Sequence, residues 1–206
     1  MFKNNGLVWA IFAMAFVGGI YALGVFLFDE IPAASSLFGH LLGILGFILM
    51  LMTEFLYSFR KRSRLARWGK MSDWLEFHIF TGLVGPFLVL LHSSWKFQGL
   101  AGVIMLMTGI IVLSGLVGRY IYTAIPRAED GSDLQLNAPK GSDKYDSINS
   151  EKTNNEEVSL QKIKTIEKNR RMLAIWHAIH IPLGMVLFTA SFIHIFAAFY
   201  YATFSH

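Results

Sequence analysis

Apolar and polar positions along this chain fall into long blocks. Five mostly apolar runs, at roughly 7–28, 35–59, 75–92, 99–125 and 174–203, are each long enough to cross a ~30 Å hydrocarbon layer as a helix. Brief polar stretches separate the first four, and one long polar segment, 127–173, precedes the last. The pattern predicts an all-α fold, a polytopic membrane helix bundle of five transmembrane helices. Residues 1–126 hold spans one to four and 174–206 hold span five, together a single membrane domain. The first apolar run, of about 22 residues, exceeds the ~7–15 of a secretory h-region, so it reads as a true span.

The polar exceptions inside spans three and five carry the chemistry. His78 and His92 are fourteen residues apart, and so are His180 and His194. Fourteen helical residues turn through about 1400°, returning to within ~40° of the start, and rise ~21 Å. Each helix therefore offers two imidazoles on nearly one face, one near each edge of the membrane. Both segments also place glycine four residues after the first histidine, Gly82 and Gly184, and both contain a proline, Pro86 and Pro182. Glycine on the ligand face leaves room for a porphyrin edge; the competing account is close helix packing. Gly85 shares that face.

Charge sets the topology. Six of the 18 Lys and Arg lie between spans two and three: Arg60, Lys61, Arg62, Arg64, Arg67 and Lys70. Arg127, Lys168, Arg170 and Arg171 flank the connection between spans four and five, while the opposite connections hold Asp29, Glu30 and Lys96. The positive-inside rule puts the N-terminus in the cytoplasm and the C-terminus outside. Spans three and five then run in the same direction, which pairs His78 with His180 near the inner face and His92 with His194 near the outer face. Basic residues beside a span meet anionic lipid headgroups, so the net charge of +4 does not imply nucleic acid.

Two axial imidazoles on opposite faces of a ring are what six-coordinate haem iron asks of a protein. Four intramembrane histidines at matched spacing and depth predict two b-type haems. The chain has no cysteine, which excludes thioether-attached haem, cysteine-ligated iron–sulfur clusters and disulfides. Arg119, near the inner end of span four, is a candidate partner for a haem propionate, with snorkelling to headgroups as the alternative. Lys96 and Trp95 have the same ambiguity at the outer edge. His177 lies ~60° around the helix from His180, which makes His180 the better ligand. His177 reads as an interfacial residue, with a propionate or quinone as its alternative partner, and His40 reads as interfacial near the outer face.

The segment 127–173 balances nine Lys and Arg against nine Asp and Glu. It is expected to be a largely mobile cytoplasmic loop until a helix cap near Asn155. It contains no glycine-rich phosphate loop and has no room for a flavin or nucleotide domain.

The two histidine pairs, within roughly 75–200, resemble the haem-binding core of the ferric reductase-like transmembrane family, which includes the NADPH oxidases. That resemblance implies two b haems held between two helices. The chain departs from the pattern in lacking the flavin and nicotinamide domains of the eukaryotic members and in having five spans where six are usual. It looks more like a small bacterial di-haem b cytochrome of the inner membrane. The expected role is an electron-transfer subunit rather than a complete enzyme. It would relay electrons across the bilayer between quinone or a cytoplasmic reductase and an extracytoplasmic acceptor such as a cytochrome. Two other classes stay open: a haem-free structural or assembly subunit, and a cation permease. The permease is disfavoured because no Asp or Glu stands beside the central histidines of spans three and five.

Overall fold

The computed structural model describes residues 5–62, 71–124 and 145–204. These form five helices: α1 (Asn5–Phe28), α2 (Leu37–Arg62), α3 (Met71–His92), α4 (Gly99–Ala124) and α5 (Tyr145–Phe204). No strand occurs among the described residues. Each helix contains a stretch long and apolar enough to cross a membrane: Gly6–Phe28, Leu37–Phe55, Ser72–His92, Gly99–Ile121 and Glu167–Tyr201. The five expected spans are present and the protein is an integral membrane protein. Large apolar side chains such as Trp9, Phe12, Phe16, Phe26, Phe196 and Phe199 stand exposed, as lipid-facing residues must.

α5 is longer than the sequence suggested. It starts at Tyr145, ten residues before the expected cap at Asn155, and is continuous into span five. Helical backbone therefore covers 145–154, which was expected to be loop, while 127–144 lies outside the described residues. The physical reason is legible: no Gly or Pro interrupts the chain between Gly141 and Pro182. With no breaker, a helix nucleated in the membrane can propagate outward through polar sequence.

The chain divides into two compact units, Met1–Leu113 with Leu183–His206, and Ser114–Pro182. In the first unit α3 is the central element, packing against both α1 and α2. One apolar cluster joins Ala10 and Tyr21 of α1, Leu42 of α2, and Val84, Leu88 and Leu91 of α3. A second joins Met50 of α2, Ile104 of α4 and Leu187 of α5. Phe47 of α2 meets Phe192 of α5 edge to face at 5.3 Å.

α2 and α3 run antiparallel and approach closely where both carry glycine. A Cβ on Gly46 would lie 2.8 Å from the Gly85 carbonyl oxygen, and one on Gly85 would lie 2.9 Å from Met50 Cγ. Gly85 thus serves close helix packing. Farther along, Thr53 Oγ1 donates to Thr81 Oγ1 at 2.7 Å, and Thr81 Oγ1 donates to the Phe77 carbonyl at 2.9 Å. Thr81 is 0% exposed and Thr53 half-buried, and this two-hydroxyl clasp fixes the register of the two helices. At the other end the α3–α4 turn is tied to the α1–α2 turn: Ser94 Oγ donates to the Pro32 carbonyl at 2.6 Å. Ser94 (φ 49°) and Trp95 (φ 61°) adopt the left-handed region there, which lets α3 stop at His92.

In the second unit, the indole of Trp176 on α5 seats on α4 at Gly118, where any Cβ would overlap it. Its Nε1 donates to the Ser114 carbonyl at 2.7 Å and approaches the Ser114 hydroxyl at 3.1 Å.

Candidate functional site

His78 and His92 both turn an imidazole edge onto α2. His92 Nδ1 donates to the Gly39 carbonyl at 2.8 Å, and His78 Nδ1 donates to the Thr53 carbonyl at 3.2 Å. The fourteen-residue spacing thus puts both rings on one side of α3, as the periodicity requires. A carbonyl oxygen only accepts, so the proton in each bond belongs to Nδ1. This is the arrangement metal-ligating histidines adopt, since a second-shell acceptor on one nitrogen fixes the tautomer and raises the basicity of the other.

The end of the first unit where α3 stops holds His92, and His194 of α5 lies close enough to interact with it electrostatically. His194 continues the buried stripe of α5 that runs through Gly184, Leu187 (1% exposed) and Ser191, so it lies on the helix's packed side. Gly43 backs the His92 ring: a Cβ there would lie 3.0 Å from ring atoms. α2 starts at this level. Ser36 caps it by accepting from the Gly39 amide at 3.0 Å. His40, exposed as expected of an interfacial residue, bonds the Ser36 carbonyl of its own first turn at 2.9 Å. Its ring meets that of His92 edge-on at 6.5 Å, at the same level of the bundle as the sequence places it.

His78 belongs to the first unit, while His180 and Arg119 belong to the second. Within that unit His180 Nδ1 pairs with the Ser114 hydroxyl at 3.0 Å, and the His180 ring stacks on the Trp176 indole at 4.6 Å and 25°. His177 instead bonds its own helix, Nδ1 to the Leu173 carbonyl at 2.9 Å. The two histidines diverge as the ~60° offset demands: His180 addresses α4, and His177 bonds its own helix and meets Trp176 edge-on. Arg119 is half-buried on α4.

Of the two glycines expected to clear a porphyrin, Gly82 faces α2, where a Cβ would meet Thr53 Cγ2 at 3.4 Å. Gly184 is buried on α5, with Glu54 Oε2 3.8 Å from where its Cβ would be. Neither position is as tight as Gly46 or Gly85. Lys96 and Trp95 are exposed at the α3–α4 turn.

Sequence reasoning missed the role of α2. Its backbone carbonyls, at Gly39 and Thr53, hold the α3 imidazoles, and a backbone acceptor leaves no residue signature. One signal was present: Gly39 and Gly43 form a small-xxx-small pair inside an apolar run, the mark of a helix that another group must approach closely. The Ser114–Trp176 contact had no such cue.

Among the described residues no three His, Cys, Asp or Glu side chains gather as ligands for a bare ion, whereas a haem iron asks the protein for only two. The His92–His194 pair fits a haem in donor chemistry: two imidazoles in mutual range, one of them bonded through Nδ1 to a backbone carbonyl. No family model, curated protein or solved structure matches this chain.

Proposed function

We propose that the protein is a membrane b-type cytochrome that carries two bis-histidine haems and relays electrons across the bilayer. One end would exchange electrons with quinone or a reductase, the other with an extracytoplasmic redox protein. The observation that carries this reading is the pair of bonds from His78 and His92 to backbone carbonyls of α2. Two intramembrane histidines fourteen residues apart, both fixed as the Nδ1–H tautomer by a neighbouring helix, are prepared as ligands through Nε2.

His92 with His194 would hold one haem and His78 with His180 the other. Haem iron supplies what the side chains cannot, a reversible one-electron couple with no bond to make or break. The protein's residues do the rest. α2 fixes ring orientation, Gly43 lets the His92 ring pack directly against α2, and Ser114 with Trp176 restrains His180. Lipid and packed apolar side chains exclude water. Arg119 would pair with a propionate at the inner edge, and Gly82 and Gly184 would lie beside the rings. The resemblance to the ferric reductase-like family and the inner-membrane topology, N-terminus in the cytoplasm, belong to this same reading.

An absorption spectrum of the purified protein tests it. Dithionite should produce sharp α and Soret bands of low-spin b haem, while NADH or NADPH without a partner reductase should not reduce the chain. A featureless visible spectrum after expression with adequate haem supply would sink the proposal. The histidines would then be helix–helix hydrogen-bond partners of a structural subunit.

A further inference from the structure

Charge is divided along α5, not spread over it. Residues 145–161 carry Asp146, Glu151, Glu156 and Glu157 against Lys152, whereas 162–171 carry Lys162, Lys164, Lys168, Arg170 and Arg171 against Glu167. From Met172 the sequence turns apolar, with Leu173, Ala174, Ile175 and Trp176 following. One continuous helix runs through all three stretches. Its basic turns therefore stand at the edge of the hydrocarbon layer, and its acidic turns stand farther from that layer on the same rod.

Helical periodicity sorts the basic residues by face. Lys164, Lys168 and Arg171 are spaced i, i+4 and i+7, which puts them within an arc of about 60° over a rise of ~10.5 Å. All three are exposed, and together with Glu167 they line a shallow cavity of about 240 Å³. Glu167 stands at one edge of the arc, so the cavity is lined by three cations and one carboxylate. Arg170 lies about 100° around the helix from Arg171 and does not line it. The arc then continues into the span as an apolar stripe. Ile175 and Ile179 follow Arg171 at i+4 and i+8, and both are more than half exposed. Cations at the membrane edge with lipid-facing isoleucines in line beneath them match an amphiphile, with an anionic head and a long apolar chain. A soluble phosphate or a nucleic acid would leave the isoleucines unused.

We propose that Lys164, Lys168 and Arg171 form a binding site for the headgroup of an anionic phospholipid, whose acyl chains lie along Ile175 and Ile179. A zwitterionic lipid brings its phosphate together with an ammonium group that the three cations repel, whereas an anionic lipid brings uncompensated negative charge. Any juxtamembrane basic segment attracts an anionic leaflet through its summed charge. Here position on the helix matters as well, because only one face joins the cations to the apolar stripe. The acidic stretch beyond the cavity is repelled by the same leaflet, which opposes the helix lying down on it. The site is independent of the haem reading.

Native mass spectrometry of the purified full chain in detergent tests this, with phosphatidylglycerol and phosphatidylcholine titrated separately. The first phosphatidylglycerol should bind at least about fivefold more tightly than the first phosphatidylcholine, the weight of one cation at a membrane surface. Arg171→Gln and Arg170→Gln remove the same charge one residue apart. The first should lose about fivefold in phosphatidylglycerol affinity and the second less than about twofold. Glutamine is as good a helix former as the residues it replaces, so α5 is retained. Glu167→Gln should tighten phosphatidylglycerol binding, a gain that misfolding cannot produce. Glycerol 3-phosphate, which has the charge without the chains, should not displace the lipid at equal concentration. Equal losses from Arg171→Gln and Arg170→Gln would overturn the site and leave only the summed charge of the segment. Unchanged or weaker binding by Glu167→Gln would remove the headgroup from the cavity. Equal affinity for the two lipids, or displacement by glycerol 3-phosphate, would overturn the choice of ligand.

Discussion

α3 and α5 carry the same sequence device, a histidine, a glycine four residues on and a second histidine ten after that, and they treat it differently. On α3 both imidazoles donate to backbone carbonyls of a neighbouring helix, a partner that cannot rotate and only accepts. On α5, His180 meets a serine hydroxyl, which rotates and both donates and accepts. The surroundings differ as well. α3 buries Thr81, Val84, Gly85, Pro86, Leu88 and Leu91, whereas α5 from 183 onward buries only Gly184, Leu187 and Ser191. Equal spacing therefore does not mean equal constraint. α3 is the fixed half of the proposed ligand set and α5 the adaptable half, and α2, which contributes no ligand, sets the difference.

The largest effects should come from the ligands themselves. His92→Ala or His194→Ala should abolish one of two haems and leave the other, read as half the haem content per chain. Loss of both haems from either variant, or of neither, would break the pairing.

Next in size is the support on α2. Gly46→Leu forces a side chain against the Gly85 carbonyl and Val89, at sites where even a Cβ would lie 2.8–2.9 Å away. α2 and α3 would have to separate, at a cost on the order of 3 kcal/mol, drawing the Gly39 and Thr53 carbonyls off both imidazoles. Thermal unfolding of the purified variant should show the loss of stability, and both haem bands should weaken together. An unaltered spectrum would mean that α2 is not what holds the α3 rings.

The smallest effect should be that of Ser114→Ala. Trp176 keeps the Ser114 carbonyl as its acceptor, so only the hydroxyl contacts are lost, about 0.5–1.5 kcal/mol. Tryptophan fluorescence and the melting temperature should shift slightly, and haem content should be unchanged. A large loss of haem would show that α5 is as tightly constrained as α3 and would erase the contrast between them.

Much of this was legible in the sequence because it depends on period and length. Five apolar blocks gave five spans, and a fourteen-residue spacing put His78 and His92 on one side of α3. The ~60° offset separated the environments of His177 and His180. What sequence could not show depends on partners without side chains or far away along the chain. The acceptors for His78 and His92 are backbone atoms, and Trp176 finds Gly118 across 58 residues with no periodic cue. The start of α5 was misjudged for a different reason: polar composition was weighed above the absence of any Gly or Pro between 141 and 182. Gly85 shares the face of His78 and His92, toward α2, where it allows the close contact with Gly46.

The central claim, that these four histidines are two pairs of haem ligands, is tested most directly by counting haem. Pyridine haemochrome analysis of the purified, detergent-solubilised protein against amino-acid quantification should give two non-covalent b haems per chain. A ratio of zero would contradict the account outright, and a saturating ratio of one would leave α3 and α5 sharing a single site instead of two.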